Sequence, residues 1–457
     1  MSYLFEKCEK LIELDISNFN TKSVIDMSFM FKDCNSLPYI NISNFDTSSV
    51  KEISNLFKGC NSLSSLDISN FNISNIKSLT YIFSDCKSLK SINLKNFKTN
   101  NIEDISGMFQ NCESLISIDI SNFETSKIKN ISYLFQGCSS LTSIDLSNFD
   151  TSQITLMDYL FDGCSSLISL NLSNFDTKNV NKMENMFSGC TNLTFLDISS
   201  FNTSNVKTFK SMFRRCISLT SLDISHFDTK SASALAYNFI FYGSYNIENL
   251  ELPLLHSSVM QDISYMFYQC QKLKYLNLTF DNLDKIISVL SIFGGCTMLE
   301  KVDIEADNFN TKNLRLMSHM FKDCISLTSI DLSKFTTRSV YSTSNMFANC
   351  TSLINLNISN FDASSLTDMS YMFYNCTSLT SLNLDFLKTN KGSKFNYMFN
   401  SCVNLEWLNL TNFYTLNGKQ INNIFDGCTS LSVFMNKKYC FNIIEYIPDY
   451  VNAIYIE

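Results

Sequence analysis

The stretch LTSIDLSNFDTSQITLMDYLFDGCSSL, residues 141–167, decides the fold. The same pattern restarts where it ends, as LISLNLSNFDTKNVNKMENMFSGCTNL over residues 167–193. Two periodicities sit side by side in it. Leu141, Ile144 and Leu146 give the short alternating segment of a strand, with Asp145 pointing to the opposite face. The apolar set that follows, illustrated four repeats earlier by Val50, Ile53, Leu56, Phe57 and Cys60, has the spacing of a helical stripe. Ser49 with Glu52, and Ser365 with Asp368, place a capping oxygen and an acid at its start. Gly59, Gly137, Gly163, Gly189 and Gly427 stand at its end, where a left-handed residue stops a helix cheaply. Each unit therefore reads as one strand, one turn and one short helix.

The cysteines act as a ruler for the rest of the chain. Cys8, Cys34, Cys60, Cys86, Cys112, Cys138, Cys164, Cys190 and Cys216 follow one another at a step of 26. The ruler resumes at Cys270, Cys296, Cys324, Cys350, Cys376, Cys402 and Cys428, with Ser244 at the missing place. Two steps are 28, with extra residues around Ser231 to Ala236 and at Glu305 and Ala306. The reading is 17 units, with only Cys440 outside the array. A fixed period of 20 to 50 residues signals a solenoid.

A unit of this size cannot hide its apolar faces alone, so neighbours stack with strands in parallel. The expected fold is an α/β solenoid of right-handed leucine-rich-repeat type, about 17 stacked units of 26 residues. Its parallel sheet lies on the concave face and its short helices on the convex face. Residues 1–435 form the solenoid and 436–457 a C-terminal cap.

Composition agrees with a packed array. Only 11 Gly and 3 Pro occur in 457 residues, so turns must be built from Asn, Asp, Ser and Thr. Hydrophobic residues at 45% and aromatics at 13% exclude intrinsic disorder. A net charge of −8 disfavours nucleic acid and anionic membranes as partners. No apolar run is long enough to span a membrane, and MSYLFEKCEKLIEL has none of the zones of a signal peptide.

The strings LDISNFNTKSVIDMSFMFKDC (Leu14 to Cys34), LNLSNFDTKNVNKMENMFSGC (Leu170 to Cys190) and LNISNFDASSLTDMSYMFYNC (Leu356 to Cys376) resemble the BspA-like leucine-rich repeats of bacterial surface proteins. The repeat type is similar to the subgroup carried by mycoplasma-type lipoproteins, a domain of unknown function. The resemblance covers residues 1 to about 435. It implies a cell-surface or extracellular adhesin that binds a host or extracellular protein or glycan. The exported signal, lipid-attachment cysteine and wall-sorting tail of many members have no counterpart among these residues, which keeps a cytoplasmic location open.

Stacking turns each repeat position into a column. The cysteine column is expected to be buried, reduced and structural, since one thiol per coil without a C-x-x-C pair offers a metal a single ligand. The asparagines of the S-N-F turn, such as Asn44, Asn70, Asn96 and Asn174, read as a ladder that pairs backbone groups of adjacent coils. No metal and no cofactor is expected.

Two outward columns are the candidate partner-binding residues. One is acidic and includes Asp145, Asp197, Asp223, Asp303 and Asp331, with Asn in other units. The other, two positions earlier, is mostly Ser but becomes Tyr39, Phe195, Tyr275 and Trp407. Large aromatics among small hydroxyls are typical binding anchors. For Trp407 contact with the C-terminal cap is an equal explanation. The histidines His226, His256 and His319 sit in unrelated units, and Asp223 beside His226 lacks the activated hydroxyl and oxyanion site of a triad. The expected function is non-catalytic binding through the concave face. An intracellular interaction scaffold, or self-association through an open solenoid end, is the alternative. The stretch from Ser231 to Phe293 is expected to be the least uniform part, because it holds Ser244, Pro253 and Asp281 where Cys, ordinary turn and Phe residues belong.

Overall fold

The computed structural model describes residues 1–387, 389, 394–414 and 420–456. It is a parallel β-solenoid of coils about 26 residues long. The chain divides into two compact units, Met1–Leu219 with His226–Ser231, and Thr220–Ser225 with Ala232–Glu457.

In the first unit the strands are β1 (Ser65–Asp67), β2 (Ser91–Asn93), β3 (Ser169–Asn171) and β4 (Phe195–Asp197). The second contains β5 (Ser221–Asp223), β6 (Asn249–Glu251), β7 (Tyr275–Asn282), β8 (Lys301–Asn308), β9 (Ser329–Asp331), β10 (Asn355–Asn357), β11 (Ser381–Asn383), β12 (Trp407–Leu410), β13 (Ser432–Asn436), the single-turn helix α1 (Phe441–Ile444) and β14 (Asn452–Ile456). Every pair is parallel, and register matches equivalent repeat positions, as in Ser169↔Phe195, Leu170↔Leu196 and Asn171↔Asp197. The single continuous sheet expected from stacking is broken. Among the described residues there are five two-stranded sheets and one four-stranded sheet, β11-β12-β13-β14. Most strands last three residues, so a neighbouring coil is often joined by an isolated bond such as Thr142 N–H to Ile116 O at 3.2 Å.

The expected helices opposite the strands are not there; α1 is the only helix among the described residues. Two tight turns per coil take their place. In the coil of Met157 to Cys164, the N–H groups of Met157, Tyr159, Phe161 and Gly163 donate to Lys182, Glu184, Met186 and Ser188 of the next coil, at 2.7–3.1 Å. The intervening Asp162 and Cys164 close turns onto Tyr159 and Phe161. A helix would spend these N–H groups within its own segment; here alternate ones cross to the neighbour. The backbone also excludes a helix, because φ is +57° at Tyr159 and +74° at Gly163, and this pair of left-handed residues four apart recurs in coil after coil. Gly163 is therefore left-handed as expected, but it closes a turn. A Cβ there would meet the Gly137 backbone at 3.5 Å, an ordinary contact, so the left-handed φ and not crowding calls for glycine.

The stripe read as helical is fully internal all the same. Val50, Ile53, Leu56, Phe57 and Cys60 are buried. Phe109, Phe135, Phe161 and Phe187 form a column of parallel rings with centroids 5.8–6.0 Å apart, and Phe267, Phe293, Phe321 and Phe347 repeat it in the second unit. Such rings fill each coil and give the stack its side-chain contacts.

Candidate functional site

The strand face carries the predicted residues, and the elements that hold them differ. Tyr39 (63% exposed), Phe195 (56%) and Tyr275 (61%) stand out from the surface as large apolar side chains. Phe195 opens β4, where its partner in β3 is Ser169, so the aromatic stands beside an ordinary hydroxyl. Tyr275 opens β7, and its hydroxyl donates to Glu300 Oε2 at 2.6 Å, which fixes the ring and raises its pKa. Trp407 is different. It is 37% exposed, and its ring lies 5.7 Å from Phe434 of β13, so it packs on the last coil. Tyr39 and Phe195 belong to the first unit, Tyr275 and Trp407 to the second.

The acidic column has a job in the fold. The Ser147 N–H donates to Asp145 Oδ1 at 2.9 Å, and the same bond joins Ser199 to Asp197, Ser225 to Asp223 and Ser333 to Asp331. Asn takes the role unchanged, as in Ser173 N–H to Asn171 Oδ1 at 3.0 Å. An oxygen that accepts the N–H two residues on turns the chain off the strand, which is why Asp and Asn interchange here, Glu251 of β6 being an exception. These bonds hold the carboxyls of Asp145, Asp197 and Asp331 below the ordinary range, although all three lie at the surface. Asp303 departs from the rule. It lies inside the long strand β8, and its Oδ2 takes the Lys301 ammonium at 2.7 Å.

The cysteine column is buried from Cys34 onward, with Cys8 half-buried in the first coil, and all 17 thiols are free. Each coil's Sγ donates to a carbonyl of the coil before, as Cys164 does to Phe135 O and Cys190 to Phe161 O at 3.1 and 3.2 Å. Burial pushes the Cys138 and Cys216 thiols up to about 12. The asparagine ladder is present too: Asn44 Nδ2 reaches Ser17 O at 2.9 Å and Asn174 Nδ2 reaches Leu146 O at 3.0 Å. His226 stands in this column and its Nε2 lies 3.2 Å from Ile198 O, so it replaces an asparagine.

A further ladder was not foreseen. Thr151 Oγ1 donates to Asp176 O at 3.1 Å and accepts the Asp176 N–H at 2.7 Å, and Thr47, Thr125 and Thr177 do likewise with their neighbours. These threonines are buried. The recurring T after N-F-(D/N) was the available signal, since an apolar-side hydroxyl needs a partner.

One cluster joins a Ser, a His and an Asp. Asp281 Oδ1 accepts the Ser257 N–H at 2.8 Å and the Ser257 hydroxyl at 3.1 Å, while Oδ2 lies 2.9 Å from His256 Nδ1. The hydroxyl is bonded to the carboxylate, whereas a nucleophile would be bonded to the imidazole. Among the described residues no three His, Cys, Asp or Glu side chains are grouped to hold a metal ion. No helix among them is long and apolar enough to cross a membrane.

A family model described as "Mycoplasma protein of unknown function, DUF285" matches residues 1–115, 78–169, 129–251, 165–274, 261–386 and 352–443. The chain belongs to this family. DUF285 repeats thus account for nearly the whole array, and they are BspA-like leucine-rich repeats. No curated protein matches the chain. Among solved structures, this DUF285 chain is similar to a leucine-rich repeat protein from Bacteroides ovatus, at 17% identity and TM-score 0.45, over 95% of this chain and 92% of that one. A leucine-rich repeat protein from Leptospira interrogans matches at 14% identity and TM-score 0.24, over 92% and 99%. The functional domain of InlJ from Listeria monocytogenes, which includes a cysteine ladder, matches at 15% identity and TM-score 0.20, over 79% and 66%.

Proposed function

We propose that the chain is a non-catalytic interaction module that engages a protein or glycan through its strand face, the concave side of the array, with exposed aromatics as anchors. The observation that carries this reading is the set Tyr39, Phe195 and Tyr275, each exposed by more than half at a position where other coils place Ser. An exposed ring adds nothing to the stack, whereas a ring in a desolvated contact concentrates binding energy. Asp145, Asp197, Asp223 and Asp331 belong to the same face and steer a partner while also closing their turns. Trp407 joins them at the edge of the last coil.

We place this module at the cell surface as an adhesin or receptor-like protein, on the strength of the family resemblance. In the same reading the array holds 17 units, with residues 436–457 as its cap. The test is a binding screen against matrix proteins, glycans and host-cell surfaces with the Phe195→Ser/Tyr275→Ser variant alongside the parent. A partner should bind the variant with a loss of about 1 to 3 kcal/mol. Equal binding by both would move the contact to the turn face. Antibody labelling of intact cells checks the location. Light scattering on the purified chain tests the alternative of self-association.

A further inference from the structure

The strand face of the second unit departs from its repeat at one place, and the departure is legible in the backbone. β7 and β8 run for eight residues each, in register from Tyr275↔Lys301 to Asn282↔Asn308, where most other strands last three. Alternation along a strand puts Tyr275, Asn277 and Thr279 outward on β7, and Lys301, Asp303 and Glu305 outward on β8. Because neither strand turns away after its third residue, Asp303 and Glu305 stand on extended backbone. Asp303 pairs with Lys301, and among the described residues the Glu305 carboxylate has no hydrogen-bond or ion-pair partner. Asp145, Asp197, Asp223 and Asp331 on the same face are instead occupied in closing turns.

This face is also recessed. A hollow of about 390 Å³ is lined by Glu251, Tyr275, Asn277, Thr279, Lys301 and Asp303. A second, of about 450 Å³, lies beyond Lys301 and Asp303 and is lined by Asp331, Asn355 and Asn357. The Lys301–Asp303 pair is the wall common to both. Tyr275 stands at the first hollow with its hydroxyl held by Glu300, so its ring is set in place before any ligand arrives. A guanidinium or ammonium with its aliphatic stem fits a ring face beside carboxylates, by cation–π attraction and stem packing together.

We propose that the outward face of β6 to β9 docks an extended, Lys/Arg-rich segment of a protein partner. The segment lies across the strands, with one basic side chain in each hollow. Charge complementarity selects this occupant: the two hollows are edged by Glu251, Asp303 and Asp331, with Glu305 two residues beyond Asp303 on the same outward face of β8, against one lysine that is itself paired, in a chain of net charge −8. The proposal rests on the strand-face reading above and names the partner class for its second-unit half.

The test uses the full chain and a labelled Lys/Arg-rich peptide, with a peptide of the same length rich in Asp and Glu as control, in fluorescence anisotropy at low and moderate salt. The basic peptide should bind, the acidic one should not, and Asp303→Asn/Glu305→Gln should weaken binding about tenfold and flatten its salt dependence. Glu52→Gln/Glu124→Gln, which removes the same charge from exposed first-unit positions outside the strand-face columns, should leave binding within about twofold. No binding of the basic peptide, or equal losses in both charge variants, overturns the proposal, the latter because it reports only the overall field. Saturable Ca²⁺ binding lost in Asp303→Asn/Glu305→Gln, without peptide binding, overturns it in favour of a cation site. A protein from the binding screen that loses affinity with Tyr275→Ser and not with the charge variants would sink the basic-segment claim and spare the strand-face reading. Indifference to the charge variants and to Phe195→Ser/Tyr275→Ser alike would sink the two together.

Discussion

The coil of residues 141–167 and the pair of coils that carry β7 and β8 solve the same stacking problem in opposite ways. In the first, no strand forms and the Thr142 N–H to Ile116 O bond joins the coil before, Asp145 turns the chain through the Ser147 N–H, Phe149 fills the corner and Thr151 ties it to the next coil. In the second, the corner phenylalanine is replaced by Asp281 and the threonine by Leu283, yet the stack does not open. The chain stays extended, Phe280 turns inward one residue early, and Asp281 reaches back to Ser257 and His256. The two residues added at Glu305 and Ala306 equal one strand period, so every later side chain keeps its face. What remains is an apolar cavity of about 20 Å³ lined by Phe280, Leu283, Ile286 and Ile304 among others. Side-chain corners and backbone pairing are thus interchangeable ways of joining coils.

The largest expected effect lies in the regular region. Phe161 is fully buried and stacks 5.8 and 6.0 Å from Phe135 and Phe187. Phe161→Ala should cost about 3–5 kcal/mol in urea denaturation, because a stack of rings cannot close over the gap. A cost below about 1 kcal/mol would mean that the turn-side backbone bonds alone hold the coils.

Next comes Asp281→Ala in the long-strand region, expected to cost about 1–3 kcal/mol by stranding the Ser257 N–H and hydroxyl. Burial alone would raise the Asp281 pKa, but the bonds from Ser257 and His256 hold it below its ordinary value. A depressed carboxyl contributes stability above its unfolded pKa and loses it as pH falls through the folded value. The difference in melting temperature between parent and variant should therefore shrink on acidification. Asp281→Phe, which restores the repeat residue, should not rescue. If it does, the cluster is a passive substitute for a ring.

Period, strand position, buried stripe, thiol column and asparagine ladder were all legible in the sequence, because each is a matter of spacing and side-chain type. The turns that replace the helices were not. Val50, Ile53, Leu56, Phe57 and Cys60 point inward from two successive turns as they would from a helix, so periodicity cannot separate the two. The distinguishing signal is the left-handed pair in each coil, and it is diluted. Gly59, Gly163 and Asn349 advertise it, whereas Tyr159, Phe239 and His319 adopt it under the pull of inter-coil bonds. At the candidate site, exposure of Tyr39, Phe195 and Tyr275 followed from strand alternation. The turn-closing role of the acids did not, since an Asp chosen for charge and one chosen for its Oδ1 look alike until Asn is seen making the same bond.

A smaller effect isolates one regular-region departure. Asp158 is buried at a position where coils such as those of Ser106 and Ser132 carry Ser, and burial pushes its carboxyl up to about 6. The Glu184 N–H, which donates to Oδ1 at 3.0 Å, and Lys182 oppose the shift without cancelling it. An acid with a raised folded pKa binds its proton more readily in the native state, so stability falls as pH rises from about 4 to about 6. Asp158→Ser should leave stability nearly unchanged at pH 4 and raise it on the order of 1 kcal/mol at pH 7. Parallel pH profiles for parent and variant would rule this out.

The smallest effect bears most directly on the comparison. Asp145 and Asp303 occupy the same repeat position, one closing a turn and the other lying in a strand that runs on. Asp145→Ala removes the acceptor of the Ser147 N–H and should cost about 0.5–1 kcal/mol, while Asp145→Asn keeps the oxygen and should cost less. Asp303→Ala loses only an exposed ion pair with Lys301 and should stay within about 0.5 kcal/mol of the parent. Chemical denaturation of the three variants at one pH decides it. If Asp145→Asn is as damaging as Asp145→Ala, the charge matters at position 145 and the turn explanation for the column fails. If Asp303→Ala proves the costlier of the two alanines, the long strand depends on its acid, and Asp303 can no longer be held apart from the fold as a residue available to a partner.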